Sequence, residues 1–234
     1  MPIRAILFDK DGTLVDFDRT WGPAVQTVLQ HLARGDEILY RELCAVSGLI
    51  DGLHFLPDSP LIDEPTSVFA IRWAALLGRV ADSAFAEKID RLLCRATTAH
   101  LSPIGDPKII LGELARRGYR LGMITNDAEA TARTHARKLG LYDLLTFIAG
   151  YDSGFGIKPA PGPIIAFART VGVSITEIVM VGDSDIDVAT ARAGGAQAIL
   201  VLTGPKSDRL RQIEADGVIA SIAELAAWLE TGHG

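Results

Sequence analysis

From residue 108 onward the chain alternates between helix-like and strand-like segments, and this alternation constrains the fold more than any other feature. Predicted strands cover 119–125, 147–149, 178–182, 198–202 and 217–220, and predicted helices cover 108–117, 128–139, 161–171, 185–193 and 222–229. Helices that alternate with short apolar strands are typical of crossover units in a parallel sheet. The sequence therefore predicts an α/β fold.

An earlier apolar run, residues 6–8, ends at two carboxylates, Asp9 and Asp11. An apolar run that stops at polar residues and a glycine predicts a buried strand followed by a tight loop. Ligands of open parallel sheets bind beyond the carboxyl ends of the strands. Side chains two residues apart on an extended chain point to the same side, so Asp9 and Asp11 are expected to share one site.

The segment between this strand and the alternating region is predicted to be all helical. Apolar residues recur at three- and four-residue spacing over 21–34, 37–47, 65–77 and 83–98, with an irregular loop over 49–64 and a linker over 101–107. We therefore expect a sheet domain built from residues 1–16 and 102–234, and an inserted helical domain over residues 17–101.

Composition narrows the possible partners and the compartment. A hydrophobic content of 48% supports a large core, while a net charge of -6 disfavours nucleic acid and anionic membranes as partners. Cys44 and Cys94 form no C-x-x-C pattern, which fits a reducing compartment. Without a signal peptide or an apolar segment of membrane-spanning length, the chain is predicted to be cytoplasmic, and no pattern predicts its oligomeric state.

Three later loops complement the first one. Thr125 and Asn126 follow one strand, Lys158 lies in a glycine-rich loop, and Asp183 and Asp187 follow another strand. Taken separately, each has a simpler explanation: residues 125–127 as a helix N-cap, Lys158 as a solvated lysine, and the last segment as a capping turn. If a helix begins at this turn, the four-residue spacing places the last two carboxylates close together.

Taken together, the four loops predict a metal site. Carboxylates gathered at neighbouring strand ends repel by about 4 kcal/mol per pair at contact distance and an effective dielectric constant near 20, so they need a cation. The candidate ligands are all oxygens, which suits Mg²⁺ better than zinc. A lysine and a hydroxyl beside a metal and a helix N-terminus would bind a dianionic phosphoryl group.

The four motifs, in this order, resemble those of the haloacid dehalogenase superfamily of phosphatases, and specifically its phosphoglycolate phosphatase-like branch. The resemblance covers the whole predicted sheet domain and is less specific for the helical insert. It implies a Rossmann-like parallel sheet core with an inserted helical cap that closes over the site. It also implies a Mg²⁺-dependent phosphatase acting on a small phosphorylated metabolite such as phosphoglycolate.

The resemblance further implies roles for individual residues. Asp9 would attack phosphorus and form an aspartyl-phosphate, and Asp11 would protonate the leaving oxygen and later deprotonate the attacking water. Thr125 would hydrogen-bond the phosphoryl oxygens with Asn126 supporting its loop, and Lys158 would neutralise charge on the phosphate and the nucleophile.

The implied metal ligands are Asp9, the backbone carbonyl of Asp11, and Asp183. Asp187 would lie in the second shell or contact the metal through water. Backbone N–H groups from Lys10 to Gly12 would complete the phosphate cradle.

Other functions remain open at this point. A sugar phosphomutase of the same family would use the same two aspartates, and a non-enzymatic phospho-receiver would also place carboxylates, threonine and lysine on a parallel sheet. A dehalogenase is disfavoured because Asp11 would have no leaving oxygen to protonate. A phosphonate hydrolase would need a Schiff-base lysine from the insert, where Lys88 is predicted to lie on the surface. A purely structural role would leave the carboxylates unexplained.

Overall fold

A computed structural model of the chain describes residues 2–206 and 213–231. The chain divides into two compact units, Met1–Asp16 with Pro103–Gly234, and Phe17–Ser102. We call them the sheet unit and the helical unit. The helical unit is inserted into the sequence of the sheet unit directly after the first loop.

The described part of the sheet unit contains one parallel sheet. Its strands are β1 (Ala5–Phe8), β2 (Arg120–Ile124), β3 (Phe147–Ala149), β4 (Ile178–Gly182), β5 (Gln197–Val201) and β6 (Gly217–Ile219). Their order is β3-β2-β1-β4-β5-β6, and every neighbouring pair is parallel. Because β1 lies between β2 and β4, the loops that follow these three strands leave the same edge of the sheet side by side.

The helical unit packs around a core of its own. Its helices are α1 (Phe17–Ala33), α2 (Glu37–Ser47), α3 (Pro60–Asp63), α4 (Thr66–Leu76) and α5 (Ser83–Ala99). Trp21, Leu43, Trp73 and Leu93 belong to one buried cluster. The indole N–H of Trp73 donates a hydrogen bond to Ser47 Oγ at 2.9 Å, which satisfies its polar group inside that core.

The remaining helices belong to the sheet unit. They are α6 (Pro107–Arg116), α7 (Glu129–Lys138), α8 (Gly162–Val171), α9 (Asp185–Gly194) and α10 (Leu225–Glu230). Every residue of β1 and β4 is buried, as expected for central strands of a parallel sheet. Leu7 and Met180 of these strands share a core cluster with Phe167 of α8 and Ala191 of α9.

Two predictions about the helical unit are wrong in part. The segment 49–64 is not irregular throughout, because α3 begins at Pro60 after Ser59, whose hydroxyl accepts a hydrogen bond from the Leu61 N–H. Helix α1 begins at Phe17 instead of residue 21, so that Pro23 lies inside it. Phe17 stacks on Trp21 with 5.9 Å between ring centroids, and this burial offsets the penalty of about 3 kcal/mol for an internal proline.

The alternating region agrees closely with prediction. Strands β3 and β4 begin and end at the predicted residues, and the other predicted strands and the predicted helices of the sheet unit differ from it by one to three residues at an end. Within the described residues, no helix is both long enough and apolar enough to cross a membrane.

Candidate active site

The loops after β1 and β4 bring together three buried carboxylates. Asp9, Asp183 and Asp187 each place one oxygen within 4.8 Å of the others. The Asp9 N–H donates a hydrogen bond to the Val181 carbonyl at 2.8 Å, which ties the first loop to β4. These are three of the four residues predicted to hold a metal.

Lys158 joins this cluster as a buried cation. Its ammonium donates to Asp9 Oδ1 at 2.5 Å and to Asp187 Oδ1 at 2.6 Å. Lys158 is only 8% exposed, so it is not the solvated loop lysine that it would resemble if considered alone. The loop before α8 therefore contributes a charge to the site formed by β1 and β4.

One lysine does not balance three carboxylates. Burial raises the pKa of Asp9 to about 7, although Lys158 favours the ionised form. Burial also raises the pKa of Asp183 well above its usual value, and the charges of Asp9 and Asp187 add to this shift. Burial disfavours the charge on Lys158, but Asp187 and Asp9 outweigh it and raise the lysine pKa. The cluster has an excess of negative charge that a further cation would relieve.

The donor set fits a small, hard cation. The three carboxylates offer only oxygen, as Mg²⁺ prefers. A Cβ on Gly204 would lie 1.7 Å from Asp183 Oδ2, and one on Gly12 would lie 2.3 Å from the same atom, so only glycine leaves room for this carboxylate. Thr13 Oγ1 donates to Asp183 Oδ1 at 3.3 Å.

Asp187 is engaged differently from the other two carboxylates. Its Oδ1 accepts from Lys158, and its Oδ2 accepts from the N–H and the hydroxyl of Ser184 at 3.1 and 2.6 Å. The Ser184 and Asp187 side chains form a capping box at the start of α9. Asp187 thus caps the helix and binds the lysine at once, which suits the weaker metal role predicted for it.

Asn126 connects the loop after β2 to the loop that carries Lys158, which we call the lysine loop. Its Nδ2 donates to the Lys158 carbonyl at 3.2 Å, and its Oδ1 accepts from the Lys158 N–H at 2.9 Å. Thr125 is buried, and its hydroxyl accepts from the Asp127 N–H at 3.1 Å. The separate N-cap interpretation of residues 125–127 is wrong, because the N-cap of α7 is Ala128, which makes no side-chain capping bond.

The side chain of Lys10 has partners that the sequence did not predict. It is fully buried, and its Nζ lies 2.6 Å from Asp11 Oδ2 and 2.8 Å from Asp127 Oδ2. The same nitrogen lies 3.4 Å from Nδ1 of His135 on α7. Asp127 and His135 are 117 and 125 residues away in sequence, and no local pattern links them to Lys10.

The charges in this second group shift the pKa values of their neighbours. Burial disfavours the charged form of Lys10, but Asp11 and Asp127 outweigh it and raise the lysine pKa. Burial raises the pKa of Asp127 to about 6 against the effect of Lys10. Burial, helped by the lysine charge, lowers the pKa of His135 to about 2. The imidazole is therefore neutral, and its Nδ1 can accept a hydrogen bond from the lysine.

Thr203 is another residue that the sequence analysis missed. Its hydroxyl donates to the Gly12 carbonyl at 2.6 Å, so the loop after β5 also borders the first motif. Thr203 and Gly204 follow a strand of the same sheet. The rule that parallel strands deliver site residues at their carboxyl ends could have identified both.

Fold and site together define a class of protein. A parallel α/β sheet presents two carboxylates from one loop, a buried lysine and a further acidic pair at one edge, as in hydrolytic enzymes that act on anionic substrates. The chain belongs to the haloacid dehalogenase-like hydrolase family, whose family model matches residues 3–195. The predicted family, the Rossmann-like α/β fold and the phosphatase class are confirmed.

Relatives and solved structures extend over nearly the whole chain. The phosphoglycolate phosphatase of Chromobacterium violaceum is 32% identical over 98% of this chain and 98% of its own length. That of Rhodospirillum rubrum is 30% identical over 97% of this chain and 90% of its own. A crystal structure of a HAD phosphatase from Thermococcus onnurineus is 26% identical with a TM-score of 0.69, covering 97% of this chain and 98% of that one.

Proposed function

We propose that this phosphatase is Mg²⁺-dependent, forms an aspartyl-phosphate on Asp9 and hydrolyses a small phosphorylated metabolite. The contact that carries this proposal is the bridge from Lys158 Nζ to Asp9 Oδ1 and Asp187 Oδ1, beside Asp183. A buried carboxylate held by a lysine within an acidic cluster is the arrangement that phosphoryl transfer to a carboxylate requires.

Asp9, Asp183 and the backbone carbonyl of Asp11 would hold the metal, with Asp187 acting through water. When bound, Mg²⁺ supplies positive charge that keeps the attacking carboxylate ionised and offsets negative charge on the phosphoryl oxygens. Lys158 would also neutralise charge on the phosphate and on the nucleophile, because it already binds Asp9 directly.

In the first half of the reaction, an Asp9 oxygen attacks phosphorus while the bond from phosphorus to the ester oxygen breaks. The leaving oxygen takes its proton from Asp11. In the second half, Asp11 takes a proton from water, the water oxygen attacks the same phosphorus, and inorganic phosphate leaves with Asp9 regenerated. The hydroxyl of Thr125 and the backbone N–H groups of Lys10 and Asp11 would hydrogen-bond the phosphoryl oxygens. The Gly12 N–H, which the sequence also predicted for this cradle, instead donates to the Val15 carbonyl at 2.7 Å.

Phosphoglycolate is the first substrate to test, because the relatives with 30% and 32% identity are phosphoglycolate phosphatases. A screen of small phosphate monoesters, assayed for Mg²⁺-dependent phosphate release, would identify the preferred one. A hexose 1-phosphate in the same screen distinguishes a phosphatase from a phosphomutase, because a phosphomutase would return a hexose 6-phosphate without releasing phosphate. The cytoplasmic location stays a prediction from the sequence.

The nucleophile is tested with Asp9→Asn. We expect kcat for p-nitrophenyl phosphate to fall by on the order of 10⁴-fold or more, because the attacking oxygen is lost. Acid-quenched wild-type protein should carry labelled phosphate on the peptide that contains Asp9. The matched control is Asp185→Asn, which alters an exposed carboxylate at the start of α9. Asp185 lies two residues from Asp183 but outside the cluster, so this variant should retain activity. An Asp9→Asn variant with near wild-type turnover would refute the assignment.

A further inference from the structure

Lys10 is a buried cation without a role in the mechanism described so far. Its side chain is 1% exposed, and its ammonium lies between Oδ2 of Asp11 and Oδ2 of Asp127. The carboxylate of Asp11 is 14% exposed, so the lysine holds it from the protein side while part of it still reaches solvent. Lys10 therefore contacts the group that, under the proposed function, must exchange a proton with the substrate.

A structural role alone is a poor explanation of this lysine. Buried ion pairs contribute little net stability, and well-packed apolar residues often stabilise a protein as much or more. Three polar partners at 2.6, 2.8 and 3.4 Å fix the position of the lysine, with Asp127 in the loop before α7 and His135 within α7. What the arrangement gains is a fixed position for the Asp11 carboxylate.

We propose that Lys10 is a positioning residue for proton transfer, holding the Asp11 carboxylate by Oδ2 so that it meets the leaving oxygen of a phosphate monoester. Asp127, in the loop before α7, and His135, within α7, anchor the lysine. This inference rests on the proposed function, since it assigns Lys10 to the residue that protonates the leaving group. The ammonium of Lys10 donates no proton itself, and only the backbone N–H of this residue, not its side chain, would contact the substrate.

The test is the dependence of rate on the leaving group in Lys10→Met, which keeps the length of the side chain and removes its charge. A good leaving group such as p-nitrophenolate needs little protonation, whereas an alkoxide needs much. We expect kcat/KM for p-nitrophenyl phosphate to fall by about threefold or less. For an unactivated alkyl phosphate we expect a fall of about 30-fold or more, approaching the 10² to 10⁴ range typical of a general acid.

Three further variants make the result interpretable. Lys10→Arg keeps a donor and a charge and should recover part of the lost rate on the alkyl substrate. Lys10→Met combined with Asp127→Asn removes the lysine charge and the buried Asp127 charge, and leaves only the partly exposed Asp11 without the lysine. It should therefore fold even if the single variant does not, and should show the same leaving-group dependence. Lys108→Met replaces an exposed lysine of α6 and should leave both rates unchanged.

The outcomes separate this inference from the proposed function. If wild-type protein releases phosphate but folded Lys10 variants slow both substrates equally, or neither, the positioning role is wrong and the proposed function stands. If wild-type protein releases no phosphate from any monoester with Mg²⁺ present, the proposed function fails and the role of Lys10 fails with it. A selective loss on the alkyl substrate, recovered in part by arginine, supports the inference.

Discussion

Each of the two carboxylates in the first loop is bound to its own buried lysine, and each lysine also reaches a second carboxylate. The two sets are Asp9, Lys158 and Asp187, and Asp11, Lys10 and Asp127. In each set one positive charge is shared by two negative ones, so removing a lysine would leave two carboxylates without that cation, of which only Asp11 is partly exposed. Such a loss is costly, typically about 3 to 5 kcal/mol.

His135 gives a prediction about pH and stability. Its pKa is about 2 in the folded protein and near 6.5 when unfolded, so below pH 6.5 the unfolded chain binds a proton that the folded one does not. This contribution to stability is present above pH 6.5 and is lost as the pH falls. Since asparagine does not titrate, the difference in unfolding free energy between wild type and His135→Asn should shrink by about 2 kcal/mol between pH 7 and pH 5.

Urea unfolding at both pH values measures this change. Comparison with the variant cancels the effects of Asp9 and Asp127, whose raised pKa values act in the opposite direction. His31→Asn, which alters an exposed histidine of α1, is measured in parallel as the control for loss of a surface histidine. A constant difference for His135→Asn would mean that this imidazole is not held neutral.

At the scale of elements, the site depends on contacts between loops as well as on the strands that carry them. Asn126 is one such contact, because its side chain makes two hydrogen bonds to the backbone of Lys158. We expect Asn126→Ala to lower the free energy of unfolding by about 1 to 3 kcal/mol, since the Lys158 N–H and carbonyl lose their partner. Phosphatase kcat should fall about tenfold or more, because the lysine loop is no longer held against the loop after β2.

Asn126→Asp is the matched variant. It keeps the oxygen that accepts from the Lys158 N–H but faces the Lys158 carbonyl with a second oxygen instead of a donor. Its kcat should lie between those of wild type and Asn126→Ala, with urea unfolding reporting stability in parallel. If kcat in the alanine variant equals that of wild type, the contact does not position the lysine.

Several elements show which parts of the fold could be predicted from the sequence. Apolar runs and glycine or proline punctuation placed β3, β4 and α2 at their observed ends, because these signals are local. Helix α3 was missed because one turn is too short to show an apolar period. The predicted start of α1 came four residues too late, because the stacking of Phe17 on Trp21 extends the helix by one turn. The partners of Lys10 could not be predicted, since a lysine in a polar loop is ordinarily solvated and only the tertiary fold buries it.

On the scale of the whole molecule, the order of the strands explains why four distant segments form one site. With β1 in the interior of the sheet, its loop has the loop after β2 on one side and the loop after β4 on the other. The sequence predicted a parallel sheet and the motifs, but the placement of the strands comes from the structure. Within the described residues, Lys158 is the cation that contacts this cluster, so the charge of the cluster is neutralised locally.

The stability of the whole protein should therefore respond to the metal through the acidic cluster. A free Mg²⁺ concentration of 100 times the dissociation constant would add about 2.7 kcal/mol to the free energy of unfolding of wild type. Asp183→Asn should lose most of this Mg²⁺-dependent stabilisation, because one of the three carboxylates that could hold the ion becomes neutral. The measurement is thermal unfolding with EDTA and with a series of Mg²⁺ concentrations.

Without metal, Asp183→Asn is expected to have the opposite effect on stability. The pKa of Asp183 is raised in the folded protein, so its contribution to stability is present at low pH and is lost as the pH rises through that value. In EDTA, wild type should thus lose stability between pH 5 and pH 8 relative to Asp183→Asn, whose amide does not titrate. Asp185→Asn, which alters an exposed residue at the start of α9, should follow wild type in the Mg²⁺ titration. Equal stabilisation of wild type and Asp183→Asn by Mg²⁺ would show that the ion binds elsewhere. Loss of the Mg²⁺ effect in the variant, together with its greater metal-free stability at pH 8, would identify Asp183 as a metal ligand whose charge destabilises the protein when no ion is bound.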